Sequence, residues 1–143
     1  MRIVRFQRDH LKALQLQPAQ AYMLGEVSAA GYGEMLEAEG AFTAMDDVGR
    51  VLAVAGVSAR WQGVGTLWAL IACDAGPHMR TLIRATKGYL ENVGGCHRVE
   101  SSVDVGFDAG ERLLELLGFE REGLARRYRP DGGDCTIWAK IRQ

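Results

Sequence analysis

The sequence predicts a single α/β domain whose elements run in the order β-α-α-β-β-β-α-β-α-β-β. Three observations carry this. Short segments of strand period alternate with segments of helical period, which is the pattern of a layered α/β architecture. Gly- and Asp-rich turns separate neighbouring strands as in hairpins. The length of 143 residues, with no repeat, linker or low-complexity stretch, suits one domain over 1–143.

Taken in order, Ile3 to Phe6 reads as the first strand, and a helix begins near Asp9 with Leu11, Leu14 and Leu16 as its apolar residues. A second helical stretch covers Gly33 to Glu39, with Met35 and Leu36 facing inward. Strands come next at Ala41 to Met45, Val51 to Ser58 and Thr66 to Ala72, divided by Asp46-Asp47-Val48-Gly49 and Gln62-Gly63-Val64-Gly65. Asp74-Ala75-Gly76-Pro77 breaks the chain and opens a helix to Glu91, because proline at a first helical position lacks only an N–H that has no partner there. Met79, Leu82, Ile83, Thr86 and Leu90 recur on one face of it.

Asn92-Val93-Gly94-Gly95 ends that helix, and Val99, Ser101, Val103 and Val105 alternate with polar residues in a half-buried strand. Asp108 and Glu111 have the spacing of a capping box for a short helix bearing Leu113, Leu114, Leu116 and Leu117, with Gly118 just past its end. Glu122 to Arg129 and Cys135 to Ile141 flank Pro130-Asp131-Gly132-Gly133-Asp134 as a closing hairpin.

Composition excludes several classes. Hydrophobic residues make up 48% and charged residues 24%, which is ordinary globular usage and not that of a disordered chain. Seventeen basic against eighteen acidic residues leave a net charge of −1, so no general grip on nucleic acid or on a membrane surface is expected. The apolar run Leu67 to Cys73 is far short of a bilayer span, and Met1 to Phe6 has no signal-peptide character. Cys73, Cys96 and Cys135 have neither disulfide nor zinc spacing, and His10, His78 and His97 form no metal motif, so no metal is expected. The basic set is Arg-heavy, fourteen of seventeen, which keeps a local site for phosphate or carboxylate in view. Arg121, Arg126, Arg127 and Arg129, with Tyr128, read as a solvated edge strand, a clamp for an acidic substrate or a partner being the other reading, with Arg126 and Arg127 on opposite faces. Trp61, Trp68 and Trp138 read as packing residues.

The segment from Gly95 to Ile141 carries a resemblance. Arg98 to Val103, then Leu113 to Leu117, then Gly118-Phe119-Glu120-Arg121-Glu122-Gly123 are similar to the closing strand, Gly-Phe helix and hairpin of the GNAT N-acetyltransferase superfamily. The element order extends the likeness over nearly the whole chain. It implies a central mixed, mostly antiparallel sheet flanked by helices, and acetyl-CoA as cosubstrate with an amine acceptor.

In that superfamily a glycine-rich loop between the fourth strand and the next helix holds the CoA pyrophosphate by backbone N–H groups, where the helix dipole favours an anion. The literal match, Arg60-Trp61-Gln62-Gly63-Val64-Gly65, would force a helix through an apolar run of strand length. The register at Asp74 to Arg80 fits the helix boundary better. The resemblance then implies cofactor contacts at Leu70, Ile71 and Ala72 for the thioester and at Gly76, His78, Met79, Arg80 and Arg84 for phosphate. Asp74 adds an acid there, for which Arg80 and Arg84 are the compensating cations, and solvated helix charges are the other reading of these two.

The chain departs from the family at its catalytic positions. Leu114 stands where many members carry a proton-donating Tyr, Phe107 near the frequent Asn, and no acid lies in Thr66 to Ala72. Glu100 and Asp104 are the carboxylates nominated as general base, with ion pairing as their other reading. These departures make the chain similar to GNAT-related proteins of tailed phages and prophages. Two functions are therefore expected: a cytoplasmic N-acetyltransferase acting on a primary amine, or a non-catalytic phage protein, in the virion or as a binding module. A second copy of the chain, a phage virion and a host protein are the partners left open.

Overall fold

The computed structural model describes residues 1–23 and 32–142. Its strands are β1 (Arg2–Arg5), β2 (Phe42–Met45), β3 (Val51–Trp61), β4 (Val64–Ile71), β5 (Arg98–Asp104), β6 (Glu120–Ala125) and β7 (Cys135–Ile141). Its helices are α1 (His10–Ala13), α2 (Tyr32–Ala38), α3 (Met79–Asn92) and α4 (Asp108–Leu116). Among the described residues the strands and α-helices follow the expected order, with 3-10 turns added at Pro18–Gln20 and Gly76–His78. The seven strands hydrogen-bond in the order β1-β2-β3-β4-β5-β7-β6, with β4 and β5 parallel and β1–β2, β2–β3, β5–β7 and β6–β7 antiparallel. Among the described residues no helix is long and apolar enough to cross a membrane.

The chain forms two compact units, Met1–Ser58 with Trp68–Ala85, and Ala59–Leu67 with Thr86–Gln143. In the first, Phe6, Leu36, Leu52, Val54 and Leu70 are fully buried and lie in one apolar cluster. Truncating such a residue to alanine costs about 2–5 kcal/mol. Gly56 is required where it stands, since a Cβ there would lie 3.0 Å from that of Ala41 and 3.2 Å from the Trp68 ring. The second unit buries Leu90, Val99, Leu117, Phe119 and Trp138.

Several local expectations change. The helix at Asp9 is a single turn, and Asp9 is itself in helical geometry and makes no cap, pairing with Lys12 instead. Leu14 is already extended, and Leu16 forms an antiparallel bridge with Ala72 rather than a helical face. Pro18 bars a continuing helix, because it has no N–H to give the Leu14 carbonyl and drives Gln17 out of the helical region. Of the α2 pair only Leu36 is buried, while Met35 is 43% exposed. β3 runs three residues further than expected, so Arg60 to Gly65 is the β3–β4 hairpin, with Gly63 at φ 80° in its turn.

In the second unit, Phe107 is the N-cap of α4 and Asp108 its first residue. Glu111 therefore has no cap to reach back to and accepts a hydrogen bond from the Thr136 hydroxyl at 3.0 Å. Gly118, at φ 88°, ends the helix as expected. β6 stops at Ala125, and Arg127 has φ 53°, so Arg126 and Arg127 sit in a turn and not on a strand. The Arg142 guanidinium donates to the carbonyls of Glu91, Val93 and Cys96, which closes the C-terminal end of α3.

Candidate functional site

In the first unit the site is the end of β4 together with the turn into α3. Alternation along a strand sends the main-chain groups of successive residues to opposite edges. The Ala72 N–H donates to the Leu52 carbonyl on β3 at 2.8 Å, and Leu70 shares its phase. Of the three amides expected to receive a thioester, only that of Ile71 points away from β3. It is engaged too: it donates to Gln20 Oε1 at 3.0 Å.

The chain then turns through Asp74 and Ala75 into a 3-10 turn, Gly76–His78, with Pro77 in its first positions. The α-helix proper starts at Met79, two residues later than expected. The N–H groups of Ala75, His78 and Met79 donate to Ala72, Ala75 and Gly76 carbonyls within the turn. A Cβ at Gly76 would meet nothing within 4 Å, so the backbone there is open to close approach. The Asp74 carboxylate is paired with the Arg50 guanidinium at 2.8 Å. Arg50 also pairs with the buried Asp46 at 2.7 Å, and that bond, ahead of the charge of Asp74, holds it still more firmly protonated than usual. The cation that answers Asp74 is therefore Arg50, not Arg80 or Arg84. Both of these stay exposed on α3, one turn apart, with no ion pair among the described residues.

In the second unit β4 and β5 pair in parallel over only three residues, Val64↔Arg98 to Thr66↔Glu100. One residue on, the Ser101 hydroxyl donates to the Leu67 carbonyl at 3.0 Å. Glu100 and Asp104 lie on one face of β5, as expected for residues four apart on a strand. Each is ion-paired. Glu100 Oε1 accepts from Arg98 Nε at 2.9 Å, and Arg98 also forks onto Glu122. The bond from Arg98 keeps Glu122 below the ordinary glutamate range. Asp104 Oδ2 accepts from Arg129 Nη1 at 3.1 Å, and its Oδ1 lies 3.5 Å from Cys135 Sγ. Burial, then this carboxylate, pushes the Cys135 thiol up to about 11. Leu114 is 4% exposed within the apolar core, and Phe107 caps α4 through its main chain alone, so neither position offers a proton donor.

Sequence reasoning missed Gln15, Gln17, Gln20, Arg50 and Ser101. The one signal that could have found the glutamines is Pro18, which forbids a helix through Gln17 and frees the segment for extended pairing.

No protein-family model and no curated protein sequence matches the chain. Solved structures do. A GNAT-family acetyltransferase from Streptococcus pneumoniae superposes with a TM-score of 0.72 at 13% identity, covering 99% of each chain. Ribosomal-protein-S5-alanine acetyltransferase from Vibrio fischeri gives 0.70 at 15% identity, over 99% of this chain and 92% of its own. Spermidine/spermine N-acetyltransferase from Vibrio cholerae, in complex with manganese ions, gives 0.69 at 16%, over 98% and 91%. At such identities the likeness establishes the fold, which is that of the GNAT acetyltransferases.

Proposed function

We propose that the chain, acting as one domain over residues 1–143, is an acetyl-CoA-dependent N-acetyltransferase that acts on a primary amine of a small molecule or protein. The observation that carries this is the end of β4: an outward strand amide at Ile71, an open glycine at Gly76, and two exposed arginines at the start of α3. The donor set fits a thioester ligand with a phosphate tail. Arg80 and Arg84 hold the phosphates by their side chains, since the His78 and Met79 N–H groups at the helix start are spent within the turn, and Arg50 keeps the charge of Asp74 from opposing them. The similarity to alanine and polyamine N-acetyltransferases supports an amine acceptor.

When bound, acetyl-CoA supplies an activated acyl group. The protein's share is positioning, with Ile71 as strand donor. Glu100 takes the proton of the acceptor ammonium, directly or through water, on the oxygen that Arg98 does not engage. The amine nitrogen then forms the new C–N bond as the C–S bond breaks, its second proton passes to water, and the departing thiolate takes a proton from water because Leu114 has none to give. Asp104, held by Arg129 and Cys135, positions the end of β5. Titration calorimetry with acetyl-CoA and CoA tests the reading. Binding, followed by acetylation of an amine that Arg80→Glu abolishes, supports it, and no binding at millimolar ligand overturns it.

A second reading is favoured by the paired state of both carboxylates and the buried Leu114. In it the chain is a non-catalytic GNAT-fold protein of a phage or prophage, a virion component or binding module. It predicts no turnover with any amine and recovery of the protein in purified particles. The enzyme reading places the chain in the cytoplasm, as a monomer or homodimer.

A further inference from the structure

We propose that Gln15 to Gln20 form an internal strap across the outer edge of β4, and that the pantetheine arm of acetyl-CoA binds only when this strap lifts. The inference rests on the reading that β4 receives the arm. β3 occupies one edge of the strand and β5 pairs with the other over Val64 to Thr66, so beyond Thr66 the edge opposite β3 is the one available to a ligand. There the strap engages the outward groups in succession. Gln20 Nε2 donates to the Ala69 carbonyl at 2.8 Å, and Gln20 Oε1 accepts from the Ile71 N–H at 3.0 Å. The Gln17 N–H donates to the Ile71 carbonyl at 3.1 Å, and the Cys73 N–H donates to the Gln15 carbonyl at 2.9 Å.

The Gln20 carboxamide thus behaves as a peptide unit laid along the strand, donating at one residue and accepting two residues on. The pantetheine arm carries two secondary amides and binds a strand edge by the same donors and acceptors, so strap and arm exclude one another. Gln17 Nε2 donates to Gln20 Oε1 at 2.9 Å and fixes the orientation of that carboxamide. Leu16 packs on the apolar cluster, and the 3-10 turn Pro18–Gln20 sets the path between the two contacts. The strap is built to open. It is a single bridge and one side chain, not a continuous ladder, and Gln15, Pro18 and Ala19 are exposed. Such elements open locally without unfolding the core.

The test compares the full chain with Gln20→Ala by calorimetry, using acetyl-CoA and the adenosine bisphosphate half of CoA, which lacks the arm. Gln20→Ala removes two hydrogen bonds with which the arm competes, so acetyl-CoA binds about tenfold more tightly to the variant, and the bisphosphate equally to both. Gln17→Pro is the second variant. It deletes both the N–H that bonds the Ile71 carbonyl and the side-chain donor that orients Gln20, at a residue whose φ of −60° already suits proline, and it shifts acetyl-CoA affinity in the same direction. Equal acetyl-CoA affinity in wild type and both variants overturns the strap and leaves the transferase reading standing. If acetyl-CoA binds to none of the three, both fall.

Discussion

The Asp74 carboxylate and the Arg50 guanidinium lie 2.8 Å apart at the foot of the turn that leads into α3. The chain thus carries an acid where the proposed phosphate site begins, and neutralises it with a residue from the turn after β2. Arg50→Ala is expected to weaken acetyl-CoA binding by about three- to tenfold, with the loss shrinking as salt rises. Asp74→Asn in the same background restores the affinity. Calorimetry at two ionic strengths checks both, and an affinity indifferent to Arg50 would separate this pair from ligand binding.

The Arg98 fork onto Glu122 and Glu100 makes stability depend on acid. Hydrogen bonding to Arg98 lowers the pKa of Glu122 in the folded state. A carboxylate of this kind contributes stability above its unfolded pKa, about 4.3, and loses it as pH falls through the depressed folded value. The melting temperature of the wild type should therefore fall more steeply below pH 5 than that of Glu122→Gln, and the two curves should converge at the acid end. Parallel curves would show that the pair adds nothing to folding.

The three thiols should separate by reactivity. Cys73 is exposed, Cys96 half-buried, and Cys135 buried with its pKa pushed up to about 11. At pH 8 a thiol reagent should modify Cys73 first and leave Cys135 untouched until the chain unfolds, because the thiolate is the reacting species. Mass spectrometry of partly labelled protein reads the order. Early labelling of Cys135 would mean that the β5–β7 pair opens readily.

How far the sequence reaches depends on the range of the interaction. β7 falls at the expected residues, Cys135 to Ile141, because the Gly132-Gly133-Asp134 turn bounds it locally. The start of α3 was legible from Pro77, and only the 3-10 geometry of the first turn moved it to Met79. Leu16 was misplaced because helical spacing from Leu11 ignores the veto that Pro18 imposes on the preceding backbone. Gln20 carried no local signal: its partners Ala69 and Ile71 lie 49 and 51 residues along the chain. The same holds for Arg50 and Asp74, whose pairing no periodicity encodes. The Asp108 capping box had the right residues, but the turn through Gly106, at φ 90°, delivers Phe107 to the cap.

Glu100 and Asp104 share a strand face, and their neighbours give them different duties. Asp104 is gripped by Arg129 Nη1 at 3.1 Å and approached by Cys135 at 3.5 Å, and its side chain is 17% exposed. Asp104→Asn leaves Arg129 paired with Asp131 and should lower stability by about 1–3 kcal/mol, with turnover per folded molecule little changed. Glu100 is held by Arg98 through one oxygen, and Arg98 keeps Glu122 when Glu100 is neutralised, so Glu100→Gln should fold normally. If Glu100 takes the proton of the acceptor, that variant loses turnover by about a hundredfold or more while acetyl-CoA binds as before. Its residual rate should also rise with pH until the amine is itself deprotonated, since the substrate then needs no base. Steady-state rates across pH 6–10, with melting temperatures for both variants, decide the matter: unchanged turnover in Glu100→Gln would remove Glu100 from the chemistry.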